Sequence, residues 1–341
     1  MTGHTGFKGI WLNLMLRELG HTVTGLSIDF KENGYFSREF VESSVDFSFL
    51  GDIRDKKSLD RSLEAKDPDV VVHLAAQALV INGFENPHET FSTNALGTHT
   101  LLEVLSTSVK PINCLIITTD KVYKPTVNQV HFTEDDSLGG TDPYSHSKVV
   151  ADSIAQFWMS LNTKLSIGIA RAGNVVGGGD KGEHRLIPYL AECLILGESP
   201  RLRYPHAVRP WQHVLDCVSG YAKLASRLQD KKFQAVWNFG PNSKTIHTVS
   251  DVVSAFVSNW GNSVAWDQVL ENKYEETPTL LLDSSRAQRE LGWHETYDFT
   301  TTIRLTSEWY KEVLLNNVEP GEKTMEQVRE FIVKAQLNKH F

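Results

Sequence analysis

The sequence predicts a doubly wound parallel α/β fold carrying a smaller, interleaved C-terminal α/β lobe, and three observations predict it. Short uninterrupted apolar runs at 70–74, 113–117 and 165–170 read as strands buried on both faces, the mark of a parallel sheet. Amphipathic stretches of helical period separate these runs. A glycine loop, Gly3-x-x-Gly6-x-x-Gly9, opens directly into the first such stretch.

The elements follow in order. Residues 10–19 place Trp11, Leu12, Leu14, Met15 and Leu19 near a 3.6 repeat and predict a helix, which Gly20 ends. Residues 21–28 predict a strand. A helix over 58–65 stops before Pro68, and the strand 70–74 follows. Helices over 94–106 and 144–161 flank the strand 113–117, and 165–170 is the next strand. After Asn174 the rhythm changes to a glycine loop at 177–180, a helix over Leu186–Leu196 and a proline-bounded, arginine-bearing segment at 201–210. A helix over 213–228 then leads to a strand at 236–240 that can rejoin the main sheet; helices are expected over 248–260, 299–314 and 325–337.

This order divides the chain into a nucleotide-binding lobe, 1–174 with 212–243, and a second lobe, 175–211 with 244–341. A strand of about five or six residues normally precedes such a glycine loop. Only Met1 and Thr2 stand before it here, so the first strand is expected to be truncated.

Composition narrows the function. With 34 Lys+Arg against 42 Asp+Glu the chain carries a net charge of −8 and shows no basic stripe, so a nucleic-acid partner is not expected and an anionic ligand must be met locally. Cys114, Cys193 and Cys217 are too scattered for a disulfide framework or a zinc site; no metal is expected, and a cytoplasmic location is. No apolar run approaches the roughly 20 residues of a membrane helix.

The motifs each admit two readings. Gly3, Gly6 and Gly9 let a backbone turn tightly and approach a diphosphate at a helix N-terminus, or simply form a turn. The residue that would bond an adenosine ribose is Ser27 or Asp29. Asp52 fits an adenine contact or a surface turn. Tyr144 and Lys148 stand one helical turn apart, so the ammonium can favour a phenolate base; a solvated helix start is the alternative. Thr119-Asp120-Lys121 follows a buried strand and supplies a hydroxyl, a carboxyl and an amine, or a polar turn. The Trp211 region is either core packing or a ligand face.

Taken together, Gly3-x-x-Gly6-Phe7-x-Gly9, His73-Leu74-Ala75-Ala76-Gln77, Asn94-x-x-Gly97-Thr98, Thr119-Asp120-Lys121 and Tyr144-x-x-x-Lys148 resemble the extended short-chain dehydrogenase/reductases. The stretches 171–180, 206–214 and 237–241 resemble the family's CDP-glucose 4,6-dehydratase branch, in which Asp is followed by Lys. The resemblance implies a Rossmann-type fold and NAD, bound through Gly3, Thr5, Gly6, Phe7, Gly9, Asp52, Ile53, Leu74, Ala75, Ala76, Asn94, Tyr144 and Lys148. It implies catalysis by Thr119, Asp120, Lys121, Tyr144 and Lys148. It further implies a nucleotide-sugar substrate such as CDP-glucose, held by Gln77, Asn174, Arg203, Arg209 and His213, with Asp216 in the matching stretch. The product implied is CDP-4-keto-6-deoxyglucose. A homodimer through the helices 94–106 and 144–161 is implied too. Other nucleotide-sugar 4,6-dehydratases, a 4-epimerase and an inactive truncated form remain as alternatives.

Overall fold

The computed structural model describes residues 1–28, 35–126, 131–161, 163–241, 246–269 and 278–337. Six strands form its parallel sheet: β1 (Thr24–Ser27), β2 (Phe47–Leu50), β3 (Val70–His73), β4 (Ile112–Ile117), β5 (Leu165–Ala172) and β6 (Val236–Phe239). β3, β4, β5 and β6 lie side by side in that order, with Val71 opposite Cys114, Cys114 opposite Ile167 and Ile169 opposite Val236. β1 pairs with β2.

Residues 1–3 join these two parts. Thr2 N–H donates to Val72 O at 3.0 Å, while Leu26 N–H donates to Met1 O and Gly3 N–H to Leu26 O, each at 2.8 Å. Where the sequence leads one to expect a truncated first strand, three residues make ladder bonds to both neighbours and hold the central slot. The sheet reverses direction of growth between residues 1–3 and β3, the place where an open α/β sheet leaves a crevice at its strands' carboxyl ends.

Helices cover both faces. On one lie α1 (Phe7–Glu18) and, later in the chain, Val214–Ala225; on the other lie α2 (Lys56–Lys66), α3 (Gly97–Ser106) and α4 (Pro143–Ser160). α1 begins three residues earlier than its periodicity predicts, because the glycine loop turns straight into it. α4 begins where Asp142 caps it, its carboxylate accepting from Ser145 N–H at 3.0 Å, with Pro143 in the first turn. The second lobe adds α5 (Leu186–Leu196); Val214–Ala225, now α6, returns to the sheet beside β6; then follow α7 (Val249–Trp260), α8 (Phe299–Leu315) and α9 (Pro320–Lys334).

One apolar core runs through both lobes. It joins Trp11 and Met15 of α1 to Trp237, Phe256, Trp309 and Phe331, all 0 % exposed. The interleaving has a local cause: Gly178 accommodates the Trp309 ring, where a β-carbon would stand 2.0 Å from it. Among the described residues no helix is long and apolar enough to cross a membrane.

Candidate active site

A cleft of about 1530 Å³ opens where the sheet reverses, between the glycine loop, the end of β4, the start of α4 and the second lobe. The loop is built by exclusion of side chains. Gly3 has φ +72° and packs so closely that a β-carbon would lie 2.6 Å from Ala75 N; at Gly9 one would lie 2.4 Å from Gly3 O. Gly6, the N-cap of α1, supplies no side-chain cap, so the first N–H groups of a twelve-residue helix face the cleft bare. That is an anion-binding arrangement, and it fits a dinucleotide's diphosphate.

β4 delivers Thr119 and Asp120, two of the residues expected to act. Ile117 ends the buried strand, Thr118 donates to Asp152 Oδ2 at 3.0 Å, and Thr119 and Asp120 turn into the cleft. The Thr119 hydroxyl donates to Asp120 Oδ1 at 3.0 Å, while Asp120 Oδ2 is buried with no hydrogen-bond partner. Burial holds the Asp120 carboxyl above the usual carboxylate range, against the pull of the Lys121, Arg209 and Lys8 charges. Burial thus disfavours the charged form of this carboxyl.

α4 brings Tyr144 and Lys148 to the same cleft one turn apart, both buried. Lys148 Nζ donates to Ile117 O at 3.0 Å, which ties α4 to the end of β4. Burial, helped by the Lys8 charge, lowers Lys148 to about 8. Burial pushes Tyr144 up to about 12, and a hydrogen bond with Thr119 and the Arg185 charge oppose that rise. Behind α4, Asp152 accepts from Arg171 Nη2 at 2.8 Å and Nε at 2.9 Å, a buried bidentate pair that fixes the helix against β5.

Most residues expected at the site meet here. Gly3, Thr5, Gly6, Phe7, Gly9, Asp52, Ile53, Leu74, Ala75, Ala76, Thr119, Asp120, Lys121, Tyr144, Lys148, Asn174, Arg203 and Arg209 all border the cleft. So does Ser27, whose hydroxyl lies 3.0 Å from His4 Nδ1; Asp29 lies outside the described residues. Asp52 is engaged by Arg54, Nη2 to Oδ2 2.6 Å. Trp211 is 6 % exposed yet borders the cleft, so it both packs and lines.

Other residues expected at the site are turned away from the cleft. Asn94 accepts from Gln77 N–H at 2.8 Å and donates to Gln77 O at 2.9 Å and Ser147 Oγ at 2.8 Å. Gln77 in turn donates to Thr90 Oγ1 at 2.8 Å, so both side chains brace the wall behind Ala75 and Ala76 and do not line the cleft. His213 is 0 % exposed between Trp11 and Tyr297, its Nδ1 accepting from Leu215 N–H at 3.2 Å. It caps α6 from inside the core, and burial lowers it to about 3. Asp216 likewise faces inward, accepting from Thr296 N–H at 2.6 Å and Tyr297 N–H at 3.2 Å.

Sequence reasoning missed Lys8, Asp180 and Arg185 on the cleft wall. Arg185 Nη1 is 2.9 Å from both Asp180 oxygens. A charged side chain between two loop glycines, as at Lys8, was the available signal. Among the described residues no cluster of three or more His, Cys, Asp or Glu side chains could hold a metal ion.

Residues 1–306 match the family model described as GDP-mannose 4,6 dehydratase. The chain is 39% identical to the CDP-glucose 4,6-dehydratase of Salmonella typhimurium over 322 residues, 91% of this chain and 89% of that one. It is 26% identical to a UDP-glucose 4-epimerase of Halalkalibacterium halodurans, over 92% of this chain and 95% of the other. Among solved structures, it superposes with a TM-score of 0.79 and 24% identity on the dTDP-glucose 4,6-dehydratase of Streptomyces venezuelae, a structure with NAD bound, covering 94% of this chain and 98% of that one. It superposes at 0.81 and 22% on the UDP-glucose-4-epimerase of Stenotrophomonas maltophila, also solved with NAD, covering 92% and 97%.

Proposed function

The chain belongs to the GDP-mannose 4,6 dehydratase family, and on that premise we propose that it removes water from CDP-glucose to give CDP-4-keto-6-deoxyglucose, with NAD regenerated in each turnover. What carries the reading is Asp120: a buried carboxyl with an unpartnered Oδ2, beside Lys121 and Thr119 and along the same cleft as Tyr144 and Lys148. Oxidation and reduction at one carbon would need only the tyrosine and lysine. Water loss needs an acid and a base besides.

NAD, when bound, supplies a hydride acceptor at C4 and a donor at C6. The bare N–H groups of α1 and the side-chain-free Gly3, Gly6 and Gly9 hold its diphosphate, and Ser27, Asp52 and Ile53 border its adenosine end. Tyr144 removes the proton of the sugar 4-hydroxyl, its phenolate favoured by the Thr119 hydrogen bond and the Arg185 charge against the cost of burial. Thr119, between Asp120 and Tyr144, passes a hydrogen bond from one to the other. The ketone so formed acidifies C5–H, and Lys121 takes that proton. Asp120 protonates the departing 6-hydroxyl, which leaves as water, and the Lys121 ammonium, after exchange with solvent, returns a proton to C5 as C6 is reduced. Asn174, Arg203 and Arg209 hold the CDP diphosphate, with Arg suited by its forked donors. In ligand terms 1–174 with 212–243 serves the cofactor, and 175–211 with 244–341 serves the nucleotide sugar.

The test is incubation with CDP-glucose in deuterated water. A dehydrated 4-keto sugar deuterated at C5 is expected; unchanged or unlabelled sugar refutes the reading. Turnover surviving Asp120→Asn and Lys121→Ala would indicate 4-epimerisation instead, and a protein that neither holds NAD nor melts cooperatively would indicate a non-catalytic form.

The assembly proposed is a homodimer through α3 and α4. Leu96, Val150 and Phe157 stand 55%, 37% and 58% exposed on and beside these helices. Light scattering should return twice the chain mass, and a monomeric mass would exclude it. Three free, buried cysteines accord with a cytoplasmic location, and the product is proposed to serve as a deoxysugar precursor of polysaccharides such as O-antigen.

A further inference from the structure

The first turn of α1 carries a lysine that the roles above leave unused. Lys8 is half-buried and borders the cleft. Its ammonium donates to Tyr221 Oη at 3.2 Å and stands 5.6 Å from the centre of that ring. Tyr221 is 0 % exposed on α6, so its hydroxyl is a fixed acceptor that aims Lys8 away from solvent. The charge reaches the catalytic end of the cleft, where it opposes the Lys148 ammonium and draws Asp120 toward ionisation. Among the described residues no carboxylate forms an ion pair with Lys8.

We propose that Lys8, aimed by Tyr221, tunes the bound nicotinamide cofactor toward its reduced form. The inference rests on the reading that NAD lies along the glycine loop toward Tyr144 and Lys148. An oxidised nicotinamide ring is a cation, and taking up a hydride makes it neutral. A fixed ammonium nearby therefore costs the oxidised form and spares the reduced one. Burial opposes ionisation of Asp120, the carboxyl that could offset that charge, and no hydrogen bond to Lys8 links the two. The effect suits this chemistry, since a sugar alcohol is a weak hydride donor and a more oxidising ring draws the first step forward. A lysine serving only the diphosphate would bind both redox forms alike, which separates the two roles.

The experiment equilibrates the purified enzyme with NAD+ and NADH at defined ratios and reads bound NADH by its fluorescence. Wild type, Lys8→Met and Lys8→Arg are compared. In Lys8→Met the preference should move toward NAD+ by about tenfold, the order expected of a unit charge at several ångströms in a partly buried site. Lys8→Arg, which keeps the charge, should stay within about twofold of wild type by the same argument. A Lys8→Met protein in which both affinities change together, with their ratio unmoved, overturns the proposal. Should Lys8→Met not melt cooperatively, Lys8→Gln carries the same expectation and the same refutation. If wild type binds neither form, it is the proposed function that fails, not this inference alone.

Discussion

Gly173 lies directly against Asp120: a β-carbon at Gly173 would stand 2.9 Å from Asp120 Oδ2 and 2.2 Å from Pro210 Cγ. The added methyl must shift Pro210 and press on the Asp120 carboxyl, disturbing the position of the acid. Gly173→Ala is expected to lower kcat by about 10²-fold, the order of a lost general acid, with little change in NAD affinity. Steady-state rates and cofactor titration check it; an unchanged kcat would show that Asp120 does not act from this position.

Replacing the acid itself should separate the steps. Asp120→Asn keeps the shape and the bond from Thr119 but has no proton to give. The overall rate should fall by about 10²- to 10⁴-fold. Loss of the C4 hydrogen to the cofactor, followed by its absorbance, should persist. A variant as fast as wild type contradicts the assignment.

The glycine loop makes a binding prediction. A β-carbon at Gly9 would meet Gly3 O at 2.4 Å and His4 C at 2.9 Å, both backbone. Gly9→Ala should therefore spread the loop and weaken NAD by at least about tenfold, as calorimetry would measure, by displacing the N–H groups meant for its diphosphate.

Asp216 predicts a pH dependence of stability. Burial raises its carboxyl to about 7, above the unfolded value of 3.8. The folded state thus binds a proton that the unfolded state releases, and stability falls as pH rises from 3.8 through about 7, by roughly 4 kcal/mol at most. Asp216→Asn should flatten this fall. Melting temperatures at pH 5 and pH 8 test it, and an equal drop in variant and wild type would remove Asp216 as the source.

The buried pair of Arg171 and Asp152 should behave as an obligate one. Asp152→Ala strands a guanidinium that is 2% exposed and frees α4 from β5. A loss of about 3–5 kcal/mol by chemical denaturation is expected. A change below about 1 kcal/mol would mean that Arg171 finds another partner, Tyr123 Oη being the nearest at 2.9 Å.

Local chemistry made much of this molecule legible beforehand. Uninterrupted apolar runs identify β3, β4 and β5, because burial on both faces of a parallel sheet removes the polar alternation. Gly3, Gly6 and Gly9 announce a close backbone approach, and the one-turn spacing of Tyr144 and Lys148 puts both on one helix face; these are properties of neighbouring residues. Orientation is a long-range property. His213, Gln77 and Asn94 sit in motif stretches, yet packing turns His213 into the core between Trp11 and Tyr297 and spends the two amides on bracing a loop. The central slot filled by residues 1–3 depends on partners at Leu26 and Val72. Tertiary structure alone decided that Asp120 would be dry against Gly173 and that Lys8 would be aimed by Tyr221, 213 residues away. Composition and period determine which segments bury. Which side chain meets which ligand is set only when distant segments exclude water from the same place.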